Sequence, residues 1–107
     1  MAEKNLKYAL LLDVYGSMLS EKQSYALEMY YCDDLSLAEI ADNIGITRQG
    51  VRDQIKHAEE ELDRLETALG LVEKINELGK VLEEIEKQTD KEPVKALCRK
   101  AKGLFEA

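Results

Sequence analysis

Tryptophan is absent from this chain, proline occurs once (Pro93), histidine once (His57) and cysteine twice, at Cys32 and Cys98. Each scarcity excludes something. Aromatic residues make up 6% of the 107 positions, so any core is built mainly from Leu, Ile, Val and Ala. One proline and 6 glycines leave little punctuation for the many turns of a strand-rich fold. A lone histidine and two distant cysteines lack the ligand count of a Cys/His zinc site, and neither a metal nor another cofactor is expected. The two cysteines read as buried or half-buried free thiols in a reducing cytoplasm. The apolar stretch Tyr8–Leu12 is ended by Asp13, far short of the roughly 20 residues of a bilayer span. No charged leader followed by an apolar run opens the chain. The expectation is a cytoplasmic protein with no membrane association.

Charged residues supply 35% of the sequence and hydrophobic ones 45%, the composition of long helices. The net charge of −7 is unevenly spread: −3 over residues 1–58, −7 over 59–90 and +3 over 91–107. An acidic total opposes strong non-specific binding to nucleic acid, which comes from phosphate neutralisation, but a local basic face escapes that limit.

The spacing of apolar residues predicts helices throughout. Asn5 to Leu19 reads as the first, with Leu6, Leu10, Asp13/Val14 and Ser17/Met18 on one stripe that Ala9 and Leu12 widen. Ser20-Glu-Lys-Gln23 has the form of a capping box and opens a helix to about Tyr31, with Ala26, Leu27, Tyr30 and Tyr31 on its apolar face. Asp33-Asp34 is a polar turn. Ser36-Leu-Ala-Glu39 is a second capping box, and its short helix turns Leu37, Ile40, Ala41 and Ile44 inward. Gly45 can end that helix in the left-handed conformation; Ile46 follows as an apolar plug, and Thr47 is a good N-cap for the next helix. Beyond Arg48, the residues Val51, Ile55, Ala58, Leu62, Leu65 and Leu69 are spaced 4, 3, 4, 3 and 4, a heptad seam. The helix is expected to bend or break at Gly70. Leu71 or Val72, Ile75, Leu78, Leu82 and Ile85 then continue a stripe to about Lys87, with a shift in phase near Gly70. Asp90 is a candidate cap for a last helix running from Glu92 or Pro93 to near Gly103, with Val94, Leu97, Cys98, Ala101, Leu104 and Phe105 on its apolar side.

The informative unit is Leu35 to Leu62: a short capped helix, a glycine turn and a second capped helix, the helix-turn-helix arrangement. The second helix presents Arg48, Gln49, Arg52 and Lys56 on its outer face, next to the Thr47 cap. Arg and Gln near the start of a recognition helix suit base edges, and Lys56 suits a phosphate. The same cations also fit a merely solvated helix face. His57 sits on the solvated side without the partners a catalytic or metal role needs. Asp33-Asp34 lacks neighbouring functional groups, and no phosphate loop or nucleophile motif occurs, so the chain reads as a non-enzyme.

The expected architecture is all-α: a helix-turn-helix domain with its long helix over residues 1–69, and a C-terminal helical extension over 70–107 packing on it or on a dimer partner. The seam Val51, Ile55, Ala58, Leu62, Leu65 and Leu69 calls for a covering helix. Periodicity leaves open whether the chain's own last helices or a second copy supplies it, and a homodimer is the expectation. The basic segment Lys91–Lys102 either extends a phosphate-contacting surface or pairs with the acidic stretch 59–90.

Several of these segments resemble a known family. Leu19-Ser-Glu-Lys-Gln23, Tyr30-Tyr31, Ser36-Leu-Ala-Glu-Ile-Ala41 and Ile46-Thr-Arg-Gln-Gly-Val51 are similar to the DNA-reading region four of bacterial sigma factors. Asp13, Tyr15, Leu19 to Gln23, Asp33-Asp34, Arg48-Gln49, Asp53 and Ile55-Lys56 look closer still to the YlxM family, small helix-turn-helix proteins encoded beside the genes of the bacterial signal recognition particle. The likeness covers roughly residues 5–65 and departs from the family pattern at Gly50, where Ala is more usual, and at His57. It implies a regulatory or accessory role in the signal recognition particle pathway. The implied partners are the particle's RNA, its targeting GTPase or its receptor GTPase; a DNA-binding transcriptional regulator acting through the helix from Arg48 is the alternative.

Overall fold

The computed structural model describes residues 5–104, all of them in helices and short connections, with no strand among the described residues. The helices are α1 (Leu6–Tyr15), α2 (Glu21–Leu27), α3 (Leu37–Ile44), α4 (Arg48–Leu69), α5 (Leu71–Gln88) and α6 (Glu92–Gly103). A 3₁₀ turn at Gly16–Met18 joins α1 to α2, and α2 runs on into a wider π-helical turn at Glu28–Cys32. The chain forms two compact units, Met1–Leu69 and Gly70–Ala107.

Local chemistry sets the helix ends. Both capping boxes form: Ser20 Oγ accepts from the Gln23 amide at 3.2 Å and Ser36 Oγ from the Glu39 amide at 3.1 Å, with each N3 side chain reaching back. Gly45 closes α3 at φ 72°, a left-handed conformation that costs glycine nothing. Gly70 breaks the long helix the same way, at φ 63°. Asp90 is not the cap of α6. That place belongs to Lys91, whose amide donates to Thr89 Oγ1 at 3.2 Å, and Pro93 sits in the first turn where its missing N–H is harmless.

In the first unit α1, α2 and α3 pack against α4. The seam residues Val51, Ile55, Ala58, Leu62 and Leu65 are buried there, together with Leu11, Leu12, Tyr15, Leu19, Ala26, Leu27, Met29, Ile40 and Ala41. The helices that cover this seam therefore precede it in the chain. Neither the last helices nor a second copy is needed to bury those five residues, and Leu69, 44% exposed, is the seam's open end.

Other expected faces shift as well. Of the expected stripe, Leu6 and Leu10 in α1 and Met18 in the 3₁₀ turn point outward, at 75%, 52% and 58% exposure, while Leu12 goes in with Leu11 and Tyr15. The segment is apolar on nearly every side, so spacing alone fits several stripes. Ile46 is no plug: it is 40% exposed. Cys32 is exposed, against the expectation of burial, and only Cys98 of the two thiols is buried.

In the second unit α5 and α6 pack on each other. Val72, Ile75, Gly79, Leu82 and Glu86 of α5 are half-buried, as are Val94, Lys95, Ala101 and Lys102 of α6 around the buried Cys98. Leu97 and Leu104 face outward instead, and Phe105 lies outside the described residues. Lys102 Nζ meets Glu86 Oε1 at 3.0 Å with both side chains largely covered, so the basic and acidic blocks do meet here. No described helix is long and apolar enough to cross a membrane.

Candidate nucleic-acid interface

The helix-turn-helix is α3, the turn at residues 45–47, and the start of α4. Thr47 caps α4: its Oγ1 accepts from the Gly50 amide at 3.0 Å, and its carbonyl accepts from the Val51 amide at 3.0 Å. Gly50 lies against this cap. A Cβ at that position would stand 3.2 Å from Thr47 Oγ1 and 3.3 Å from Ile46 Cδ1, tighter than ordinary contact. Thr47 Oγ1 or the Ile46 side chain, itself 40% exposed, must give by a few tenths of an ångström to admit the Ala that helix propensity favours.

Val51 and Ile55 anchor α4 on one side, which leaves Thr47, Arg48, Gln49, Arg52 and Lys56 all exposed on the other. Among the described residues none of Arg48, Arg52 and Lys56 is held in an ion pair, so these cations are available to a ligand. Gln49 is partly engaged, since its Nε2 donates to Asp53 Oδ1 at 3.1 Å. His57 is exposed.

Arg52 and Lys56 also stand at a cleft of about 460 Å³, which Tyr30, Tyr31, Leu37, Ile55 and Glu59 complete. The two rings meet edge to face with centroids 5.0 Å apart. On another side of the same unit a groove of about 760 Å³ runs between the α1–α2 connection and α4, with Leu19, Tyr25, Ile44, Ile46 and Gln54 in its walls.

Beside its buried seam, α4 is held by a set of polar contacts that residue spacing does not predict. Tyr31 donates its phenol proton to Glu59, Tyr8 donates to Asp63 at 2.8 Å, and Tyr15 donates to Glu66 at 2.5 Å. Lys7 adds an ion pair to Asp63 at 3.0 Å. The three acids are spaced 4 and 3, each one residue after the seam positions Ala58, Leu62 and Leu65. That offset was the available signal: an acidic row flanking a buried seam needs donors from whatever covers the seam. The contacts show in the phenols. The hydrogen bond to Asp63, then burial and nearby negative charge, push Tyr8 up to about 12. Burial first, then the hydrogen bond and charge of Glu59, push Tyr31 higher still.

Comparison with known proteins agrees with this fold. Residues 2–101 match the model of the family UPF0122, described as "Putative helix-turn-helix protein, YlxM / p13 like". A UPF0122 protein of Desulforamulus reducens is 48% identical over 79 residues, covering 74% of this chain and 68% of that protein. A UPF0122 protein of Halalkalibacterium halodurans is 38% identical over 92 residues, covering 86% and 84%. One from Listeria welshimeri is 40% identical over 91 residues, covering 85% and 83%. With the match extending over most of its length, this chain belongs to the UPF0122 family of YlxM/p13-like helix-turn-helix proteins.

Proposed function

We propose that this protein is a non-catalytic accessory regulator of the signal recognition particle pathway that docks through the outer face of α4. The observation that carries the reading is the exposed row Arg48, Arg52 and Lys56, without ion-pair partners, beside the capped start of α4. The opposite face of the same helix is fixed in a core, so the row is presented on a rigid element rather than on a loop. Family membership supports the pathway, through the gene neighbourhood that the YlxM resemblance implies. The particle's RNA is the ligand in this reading. The acidic chain keeps general affinity for nucleic acid low, so binding depends on this one face.

Fluorescence anisotropy with labelled signal recognition particle RNA and with a random DNA duplex of equal length tests this. Both ligands are titrated at about 50 and about 200 mM salt, because affinity without a salt series has no meaning here. Salt-sensitive binding that favours the RNA is expected. Tighter binding to the duplex replaces the reading with that of a DNA-binding regulator, and binding to neither moves the partner to the pathway's GTPases.

A further inference from the structure

Most of the large apolar side chains described in the second unit are exposed: Leu71, Leu78, Val81, Ile85, Leu97 and Leu104. Among its described residues Cys98 alone is buried, while Leu71, Leu78, Val81 and Ile85 of α5 are 42%, 48%, 55% and 41% exposed. A helical pair with a single buried side chain does not outweigh the entropy of ordering it. The pattern on α5 shows what is open. One heptad row, Val72, Ile75, Gly79, Leu82 and Glu86, is screened where α6 packs. A second row, Leu71, Lys74, Leu78, Val81 and Ile85, has the same 3-4-3-4 spacing and is exposed throughout.

We propose that this second row is the contact between two copies of the chain, pairing α5 with α5 antiparallel about a two-fold axis at Leu78. The row is self-complementary in that arrangement, as an isologous contact requires. Leu71 and Ile85 stand seven residues on either side of Leu78, so each faces the other in the partner copy. Charge selects the direction. Lys74 is the row's one charged member, and Glu77 and Glu84 border it on the side away from α6. In the antiparallel pair Lys74 lies within about 3 Å, along the axis, of the level of the second copy's Glu84, at 1.5 Å rise per residue. A parallel pair would set Lys74 against its own copy. Near the two-fold axis the two Glu77 side chains approach each other, so that position weakens the contact. The pairing involves α5 alone and is independent of the nucleic-acid reading of α4.

Sedimentation velocity on the full chain, over about 1 to 100 μM, tests the pairing together with cysteine cross-linking. The native chain is expected to dimerise, Leu78→Glu to be monomeric with unchanged helix content, and Glu77→Gln to dimerise more tightly. Lys74→Glu and Glu84→Lys each weaken the dimer about tenfold or more, and the double variant restores it. In a Cys32→Ser background, Leu78→Cys oxidises to a disulfide between copies at position 78. Leu71→Cys alone does not cross-link, whereas its mixture with Ile85→Cys does. A native chain that stays monomeric, a dimer that survives Leu78→Glu, or efficient cross-linking by Leu71→Cys alone overturns the proposal.

Discussion

Tyr31 of the π-helical turn after α2 gives its phenol proton to Glu59 of α4, across 28 positions of sequence. Its ring is packed at the same time against Tyr30 and, at 5.9 Å between centroids, against Tyr8. Tyr31 thus ties α1, the α2 extension and α4 together in the wall of the cleft that Arg52 and Lys56 border. Tyr31→Phe keeps the ring packing but leaves a half-buried carboxylate without its donor. The expected loss is about 1–2 kcal/mol in urea denaturation, with helix content unchanged. An unaltered midpoint would remove the phenol from the account of how α4 is held.

The same phenols set an alkaline limit. The folded state holds Tyr8 at about 12 against an ordinary value of 10.0, and holds Tyr31 higher. The unfolded chain therefore releases these protons first. Their stabilisation is complete below about pH 10 and is lost as the pH rises through about 12. The urea midpoint is expected to hold between about pH 8 and 9.5 and to fall by about pH 11.5. Tyr8→Phe should remove a component near 12 from the tyrosinate absorbance titration. Constant stability up to about pH 11.5 would contradict the assigned contacts.

Much of the fold is legible in residue spacing, because its signals are local. The boxes Ser20–Gln23 and Ser36–Glu39, the left-handed Gly45, the break at Gly70 and the Thr47 cap each act within a few residues, and each forms. The inward face of α1 is not legible, since Leu6, Ala9, Leu10, Leu11, Leu12 and Val14 surround the helix. Tertiary partners decide it: Tyr8 and Tyr15 turn toward Asp63 and Glu66 and carry Leu11 and Leu12 inward with them. The seam on α4 is legible, but not what covers it, because a heptad row records that a helix is covered and not by which helix. For the site, the exposed row from Arg48 to Lys56 follows from the position of Thr47 and the seam. The cleft behind it needs Tyr30 and Tyr31, which only the tertiary fold brings alongside α4.

The left-handed turn of the helix-turn-helix gives a local test. Gly45 has φ 72° and open space where a Cβ would sit, so Gly45→Ala suffers from backbone strain rather than a clash. A cost of about 1 kcal/mol is expected, measured by thermal or urea denaturation. A stabilising effect would mean that the turn between α3 and α4 is not left-handed.

Thiol reactivity separates the two cysteines. Cys32 is exposed, and Cys98 is enclosed by α5 and α6. With an aromatic disulfide reagent, one thiol per chain should react in the folded protein and the second only on unfolding. Partial desolvation of its sulfur, although the residue is exposed, and the nearby charges of Asp13, Glu28 and Asp33 push the Cys32 thiol up. Its reaction at neutral pH should therefore be slower than that of a free cysteine peptide. Rapid reaction of both thiols would show that α6 does not stay closed on α5.

The most direct test of the docking face is the salt dependence of RNA binding for the native chain and for Arg48→Ala/Arg52→Ala. Each phosphate contact removed lowers the slope of log affinity against log salt by roughly 0.7 to 0.9. With Arg48 and Arg52 each meeting a phosphate of the RNA in this reading, rather than a base edge, the account predicts a double variant with native stability, sharply weaker binding and a slope smaller by about 1.5. Equal affinity and equal slope in the two proteins would place the RNA contact elsewhere and contradict it.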